Sequence, residues 1–117
     1  MPRTLILGGA GFIGYHLALR LAGEGHALTL VDDRSRGRRD REMESLCARP
    51  DITLVQADLT RPDALAELSR GWDGVYMLAA VVGVRNVETD PARVVRTNTL
   101  ALMHLLDWIA PESGVLF

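Results

Sequence analysis

The chain predicts an α/β fold built on a doubly wound parallel sheet. Three observations carry this. Short apolar runs rich in branched residues recur at 5–7, 28–31, 52–55 and 75–79, and a last one starts at Val115. Such near-continuous runs suit strands covered on both faces. Helical patterns fall between them, which implies right-handed crossovers. Glycines stand at 8, 11 and 14, directly after the first run and at the opening of a helical pattern. A strand, a glycine-rich turn and a helix in that order suit a nucleotide pyrophosphate. Glycines let the backbone turn sharply and approach the phosphates, and the helix start offers free N–H groups and a positive dipole end.

The elements follow in chain order. After the first strand, Ile13, Leu17 and Leu21 recur every four residues and predict one apolar helix stripe, with Gly23 or Gly25 as its stop. The second run ends at Asp32. Residues 34–44 are polar, with Arg34, Arg36, Arg38, Arg39 and Arg41 among Asp40, Glu42 and Glu44. They predict a surface loop leading into a short helix. After the third run, Thr60 with Asp63 resembles an N-cap arrangement. Pro62 is tolerated in the first turn and Gly71 closes the helix. Beyond the fourth run, Asp90 and Pro91 form a second start signal. Val94, Asn98, Ala101, Leu105 and Ile109 then share one face.

Composition bounds the function. With 117 residues, 48% hydrophobic, the chain is at most one domain with one real core. A net charge of −2 argues against a nucleic-acid or polybasic membrane role. The arginine-rich stretch does not reverse this, because acids interleave it and no aromatics accompany it. Its alternatives are a solvated loop, or a site where Arg34 forks onto a 2′-phosphate. Cys47 is the single cysteine, so no internal disulfide forms. No leader pattern and no apolar stretch of membrane-spanning length occurs, so the expected compartment is the cytoplasm. His16, His26 and His104 lack ligand spacing, so no metal site is expected. All 13 basic residues are arginine; there is no lysine.

The candidate cofactor residues extend the glycine turn. Asp32, at the end of the second run, can accept hydrogen bonds from the ribose hydroxyls of adenosine. It repels a 2′-phosphate, which favours NAD over NADP. Asp33 either shares that role or is a solvated loop residue. Asp58 ends the third run; it either accepts from an adenine amino group or makes loop and capping hydrogen bonds. Leu59 would supply an apolar wall beside it. Asn98 lies on an apolar stripe, where an amide is costly unless paired. It either hydrogen-bonds backbone beside the cofactor or ties helix to strand.

These residues together resemble the extended short-chain dehydrogenase/reductases, the NAD-dependent nucleotide-sugar epimerase and dehydratase family. Gly-Gly-Ala-Gly-Phe-Ile-Gly at 8–14 is similar to that family's fingerprint and brings Phe12 and Ile13 into the site. Val-Asp-Asp at 31–33 resembles its ribose-binding strand end, and Ala-Asp-Leu at 57–59 its adenine-binding turn. Met-Leu-Ala-Ala at 77–80 resembles its His-x-Ala-Ala stretch, with Met77 in the histidine's place. The resemblance implies that Leu78, Ala79 and Ala80 lie along the pyrophosphate and nicotinamide ribose. It places Val82, Gly83 and Val84 where contact with nicotinamide and substrate begins. Asp-Pro at 90–91 and Thr-Asn-Thr-Leu-Ala at 97–101 are similar to its Asn-containing helix.

The resemblance implies a Rossmann-type fold, tightly held NAD and a nucleotide-sugar substrate. The family's chemistry uses a Tyr-x-x-x-Lys pair with a Ser or Thr at the end of the fifth strand. Here Tyr15 and Tyr76 are followed four positions later by Leu19 and Ala80. The last residues, Gly-Val-Leu-Phe, read as a fifth strand cut short within its opening. The expectation is therefore an incomplete NAD(P)-binding domain over 1–117, the cofactor portion of a longer nucleotide-sugar enzyme. No catalytic residue is assigned within it. Uncovered apolar surface at that strand predicts homo-oligomerisation or marginal stability. The alternative is a non-catalytic dinucleotide-binding module, such as a redox sensor or partner subunit.

Overall fold

The computed structural model describes residues 1–33, 41–81 and 83–116. Arg34, Arg36, Arg38, Arg39, Asp40 and Val82 lie outside the described residues. Five strands, β1 (Arg3–Leu7), β2 (Ala27–Asp32), β3 (Ile52–Gln56), β4 (Gly74–Met77) and β5 (Gly114–Leu116), pair in parallel in the order β3-β2-β1-β4-β5. The five expected apolar runs therefore all form strands. The chain steps from β1 to β2 to β3, then returns to lay β4 on the other side of β1. In such a sheet the crevice opens where the order reverses, beyond the carboxyl ends of β1 and β4.

Each face of the sheet has its own cover. On one face, α1 (Phe12–Gly23) and α2 (Arg41–Cys47) bury Ala18, Leu21, Ala22, Met43 and Leu46 against Ile6, Leu28, Leu30 and Ile52. On the other, α4 (Pro91–Trp108) and the segment after β3 bury Ala101, Leu105, Leu59, Leu65 and Trp72 against Leu5, Leu7, Val31 and Val75. Successive side chains of β1 point to opposite faces, so Leu5 and Leu7 serve one core and Ile6 the other. All three are fully buried.

The start of α4 is as expected. Pro91 occupies the first turn, and Asp90 caps it by accepting the Arg93 N–H on Oδ1 at 3.1 Å. Ala101 and Leu105 are buried, with Val94 and Asn98 half-buried on the same face. Ile109 lies just beyond the helix as its C-cap.

Two expectations are corrected. The segment from Thr60 to Gly71 is not a helix but a succession of tight turns. Its bonds run from Arg61 to Asp58, Ala64 to Arg61, Ala66 to Asp63 and Leu68 to Leu65, each spanning three residues. Thr60 does not act as a cap, because its hydroxyl donates to Asp58 Oδ1 at 2.6 Å. Pro62 adds no N–H donor. The buried side chains of Leu59, Leu65 and Trp72 pin the turns flat on the sheet instead.

The buried stripe of α1 is also rotated from the one expected. Gly14, Ala18, Leu21 and Ala22 are buried, Leu17 is half-buried, and Ile13 is 68% exposed. Small residues let the helix sit close to the sheet, so the contact face follows Gly14 and Ala18 rather than the larger Ile13. One further element, α3 (Val84–Thr89), has no buried residue, so no apolar stripe announces it.

Leu105 is the fully buried anchor of α4. Leu105→Ala is expected to cost about 2–5 kcal/mol in denaturant unfolding. A loss below about 1 kcal/mol would mean that α4 is not packed as described.

Candidate functional site

A cleft of about 850 Å³ opens at the carboxyl end of the sheet. This is within the size range of small-molecule and cofactor sites. Its floor is the turn between β1 and α1, and its walls are the segments that leave β2, β3 and β4.

The turn is fixed from below. The Gly8 N–H donates to the Val31 carbonyl at 2.7 Å. The Ala10 N–H donates to Asp32 Oδ2 at 3.0 Å, so the end of β2 is tied to the turn by a side chain as well. The first helical bond of α1 runs from the Tyr15 N–H to the Gly11 carbonyl at 2.9 Å. The N–H groups of Phe12, Ile13 and Gly14 precede it and have no partner within the helix. No acidic side chain stands in the first turn, and the N-cap, Gly11, has no side chain to cap it. The positive end of the helix is thus left for whatever fills the cleft.

The glycines divide into two kinds. A Cβ on Gly8 would lie 2.7 Å from the Ala79 nitrogen, at a φ of +91° that side chains rarely adopt. One on Gly9 would lie 2.7 Å from the Leu30 Cβ, and one on Gly14 would lie 2.7 Å from the Gly9 Cα. These three are required by the protein's own packing. Gly11 differs. Its backbone is extended, with φ −78° and ψ 175°, which any residue adopts. A Cβ there would meet only the Gly8 carbonyl oxygen, at an ordinary 3.6 Å. Gly11 lines the cleft, so the space its missing side chain leaves belongs to the cleft.

The remaining candidates converge on the same space. Gly8, Gly11, Phe12, Ile13, Gly14, Asp32, Asp33, Asp58, Leu59, Leu78, Ala79, Ala80 and Asn98 all line the cleft. Phe12 and Ile13 are exposed at its mouth; Leu59 is buried in its wall. Asp58 Oδ1 accepts both the Thr60 hydroxyl at 2.6 Å and the Thr60 N–H at 3.0 Å. These two bonds, with the nearby Arg61 guanidinium, hold the Asp58 carboxyl below the usual carboxylate range. It is therefore an anionic acceptor at neutral pH. The loop-bonding role foreseen for Asp58 is thus present on one oxygen.

Asn98 makes the pairing that its half-buried amide requires. Its Oδ1 accepts the Val81 N–H at 2.7 Å, and its Nδ2 donates to the Val81 carbonyl at 3.1 Å. This two-point clasp fixes the segment leaving β4, whose start is set by a bond from the Leu78 N–H to the Leu7 carbonyl at 2.8 Å. His16 lines the cleft against the rings of Phe12 and Tyr15, whereas the other two histidines have separate structural partners. His26 Nδ1 lies 2.8 Å from the Thr4 hydroxyl and His104 Nδ1 2.9 Å from the Leu59 carbonyl.

Several lining residues escaped the sequence reading. Ala10, Tyr15, Thr60, Met43, Asn86 and Arg93 also face the cleft. Ala10 and Thr60 sit inside motifs that were recognised, so adjacency could have found them. Asn86 lies on the short α3, which had no apolar signature. Arg93 follows a recognised cap but carries no pattern of its own.

The division among the glycines has a direct consequence. Gly14→Ala is expected to lower stability by about 1–3 kcal/mol, as overpacking does, whereas Gly11→Ala leaves it within about 0.5 kcal/mol. Thermal unfolding of the two variants checks this. Equal losses would mean that Gly11 is a packing residue.

The model of the NAD dependent epimerase/dehydratase family matches residues 4–116. UDP-glucuronic acid decarboxylase 1 of Danio rerio is 34% identical over 104 residues, which cover 89% of this chain and 23% of that protein. A solved UDP-galactose 4-epimerase is 34% identical, with a TM-score of 0.74 over 91% of this chain and 33% of its own. A UDP-glucose-4-epimerase from Stenotrophomonas maltophila, solved with bound NAD and formylated UDP-arabinopyranose, is 26% identical. It gives a TM-score of 0.79 and covers 92% of this chain and 33% of its own. The chain thus spans about a quarter to a third of the length of these relatives. The strand order, the glycine turn and the family match agree: the chain belongs to the NAD dependent epimerase/dehydratase family.

Proposed function

We propose that this chain is the NAD-binding portion of a nucleotide-sugar epimerase- or dehydratase-like enzyme. The observation that carries the proposal is Gly11, a glycine that the fold does not need beside a cleft that does. The relatives named above act on, or were solved with, UDP-linked compounds, which supports the nucleotide-sugar class.

In this reading the N–H groups at the start of α1 bind the pyrophosphate, and Gly11 leaves room for it. Asp32 accepts from the adenosine ribose hydroxyls while it holds Ala10, and Asp33 stands next to it. Asp58 accepts from the adenine amino group beside the wall formed by Leu59. Leu78, Ala79 and Ala80 run along the pyrophosphate toward the nicotinamide ribose. Asn98 keeps Val81 in place at that end. Bound NAD supplies a reversible hydride acceptor for a sugar carbon. Neither tyrosine in these 117 residues is followed four positions on by lysine, so the proton transfers of that chemistry are assigned to residues outside them.

For the 117-residue chain we therefore expect NAD binding without turnover of a nucleotide sugar. The same observation favours a second reading, a non-catalytic dinucleotide-binding module. The two part on whether the chain's longer form turns over a UDP-sugar. No helix among the described residues is long and apolar enough to cross a membrane.

Calorimetric titration tests the proposal. NAD should bind saturably, and NADP more weakly by about tenfold or more, because the Asp32 carboxylate opposes a 2′-phosphate. Gly11→Val should abolish NAD binding with the fold retained. Tighter binding of NADP would overturn the role of Asp32. Unchanged affinity in Gly11→Val would overturn the site.

A further inference from the structure

We infer that His104 is a positioning residue that holds the adenine end of the cleft. The inference rests on the proposed NAD site and assigns it a support outside the cofactor-lining residues.

His104 is half-buried on α4, and its Nδ1 lies 2.9 Å from the Leu59 carbonyl, 45 residues away in the chain. A carbonyl oxygen only accepts, so the proton sits on Nδ1. The Leu59 side chain is buried in the same core cluster as Ala101 and Leu105 of α4. The turn of Asp58, Leu59 and Thr60 is thus fixed to α4 twice, by apolar packing and by a hydrogen bond to its backbone. The second attachment matters because this segment has no helical ladder to fix its carbonyls. Its own bonds are isolated turns of three residues.

The arrangement is one half of a pair. At 100° per residue, Asn98 and His104 stand about 120° apart around α4 and about 9 Å apart along it. They flank the stripe of Val94, Ala101 and Leu105. Asn98 clasps the Val81 backbone after β4, and His104 holds the Leu59 backbone after β3. One helix therefore sets the positions of two of the three segments that wall the cleft, those after β3 and β4.

The test compares His104→Leu with His104→Asn in the 117-residue chain. The amide nitrogen of asparagine is attached to Cγ, as Nδ1 is in histidine, so it can donate to the same carbonyl. Leucine fills the space without donating. His104→Leu is expected to weaken binding of ADP, a probe of the adenine end, by roughly threefold to tenfold, the scale of one net hydrogen bond. His104→Asn is expected to restore it. Nitrogen NMR of the wild-type ring should show Nδ1 protonated at neutral pH. Exchange of the Thr60 amide, which Asp58 holds, should accelerate in His104→Leu and not in His104→Asn.

Equal weakening in both variants, or none in His104→Leu, would overturn the inference. So would a ring protonated only on Nε2. If the wild-type chain does not bind ADP, the NAD reading fails, and Thr60 exchange alone still decides whether His104 holds the turn.

Discussion

The cleft depends on one close approach, that of the first turn of α1 to the backbone leaving β1. A single methyl group on Gly14 would press against Gly9, and one on Gly8 would press against Ala79. Without side chains at these points, the helix axis begins near the carboxyl ends of the strands, and its free N–H groups face the crevice. Asp32 secures the same approach from the side by accepting the Ala10 N–H. The carboxylate proposed to bind ribose therefore also holds the glycine turn proposed to receive the pyrophosphate, which in that reading would link the two through one side chain.

The far wall depends on α4. Its start is set locally, by Asp90 as cap and Pro91 in the first turn. Its height over the sheet is set by Ala101 and Leu105. Only with both fixed can Asn98 and His104 reach the backbones of Val81 and Leu59. The helix thus converts core packing into the placement of two segments that have no regular structure of their own. This is how a site built on loops can be held rigid by the scaffold beneath it.

The strands were legible in the sequence because parallel strands covered on both faces read as near-continuous apolar runs, broken here only by Thr29 in β2 and Thr53 in β3. The Asp90–Pro91 start was legible because capping is local chemistry. The segment after β3 was not. Thr60, Pro62 and Gly71 matched a helix by residue type, yet Asp58 takes both Thr60 donors, and the buried Leu59, Leu65 and Trp72 favour a flat path over the sheet. The face of α1 was misread because glycine and alanine carry little apolar signal, while close packing selects for them. In the site, the residue types were legible, including Asp32, Asp58 and Asn98. The loop bonds of Asp58 and the backbone bonds of Asn98 were among their readings, whereas the bond from the Ala10 N–H to Asp32 was not, because a backbone partner 22 residues away leaves no side-chain pattern. The separate reason for each glycine required distances: Gly8, Gly9 and Gly14 answer to the fold, and Gly11 to the cleft.

In the proposed function, the open space at Gly11, facing the start of α1, receives a dinucleotide pyrophosphate. Amide NMR of the 117-residue chain during addition of NAD tests it most directly. Saturable shifts should centre on the Gly11, Phe12, Ile13 and Gly14 amides, with smaller shifts at Asp32 and Ala79. No saturable shift, or shifts confined to the shallow groove between α1 and α2 near Leu19 and Arg49, would contradict it.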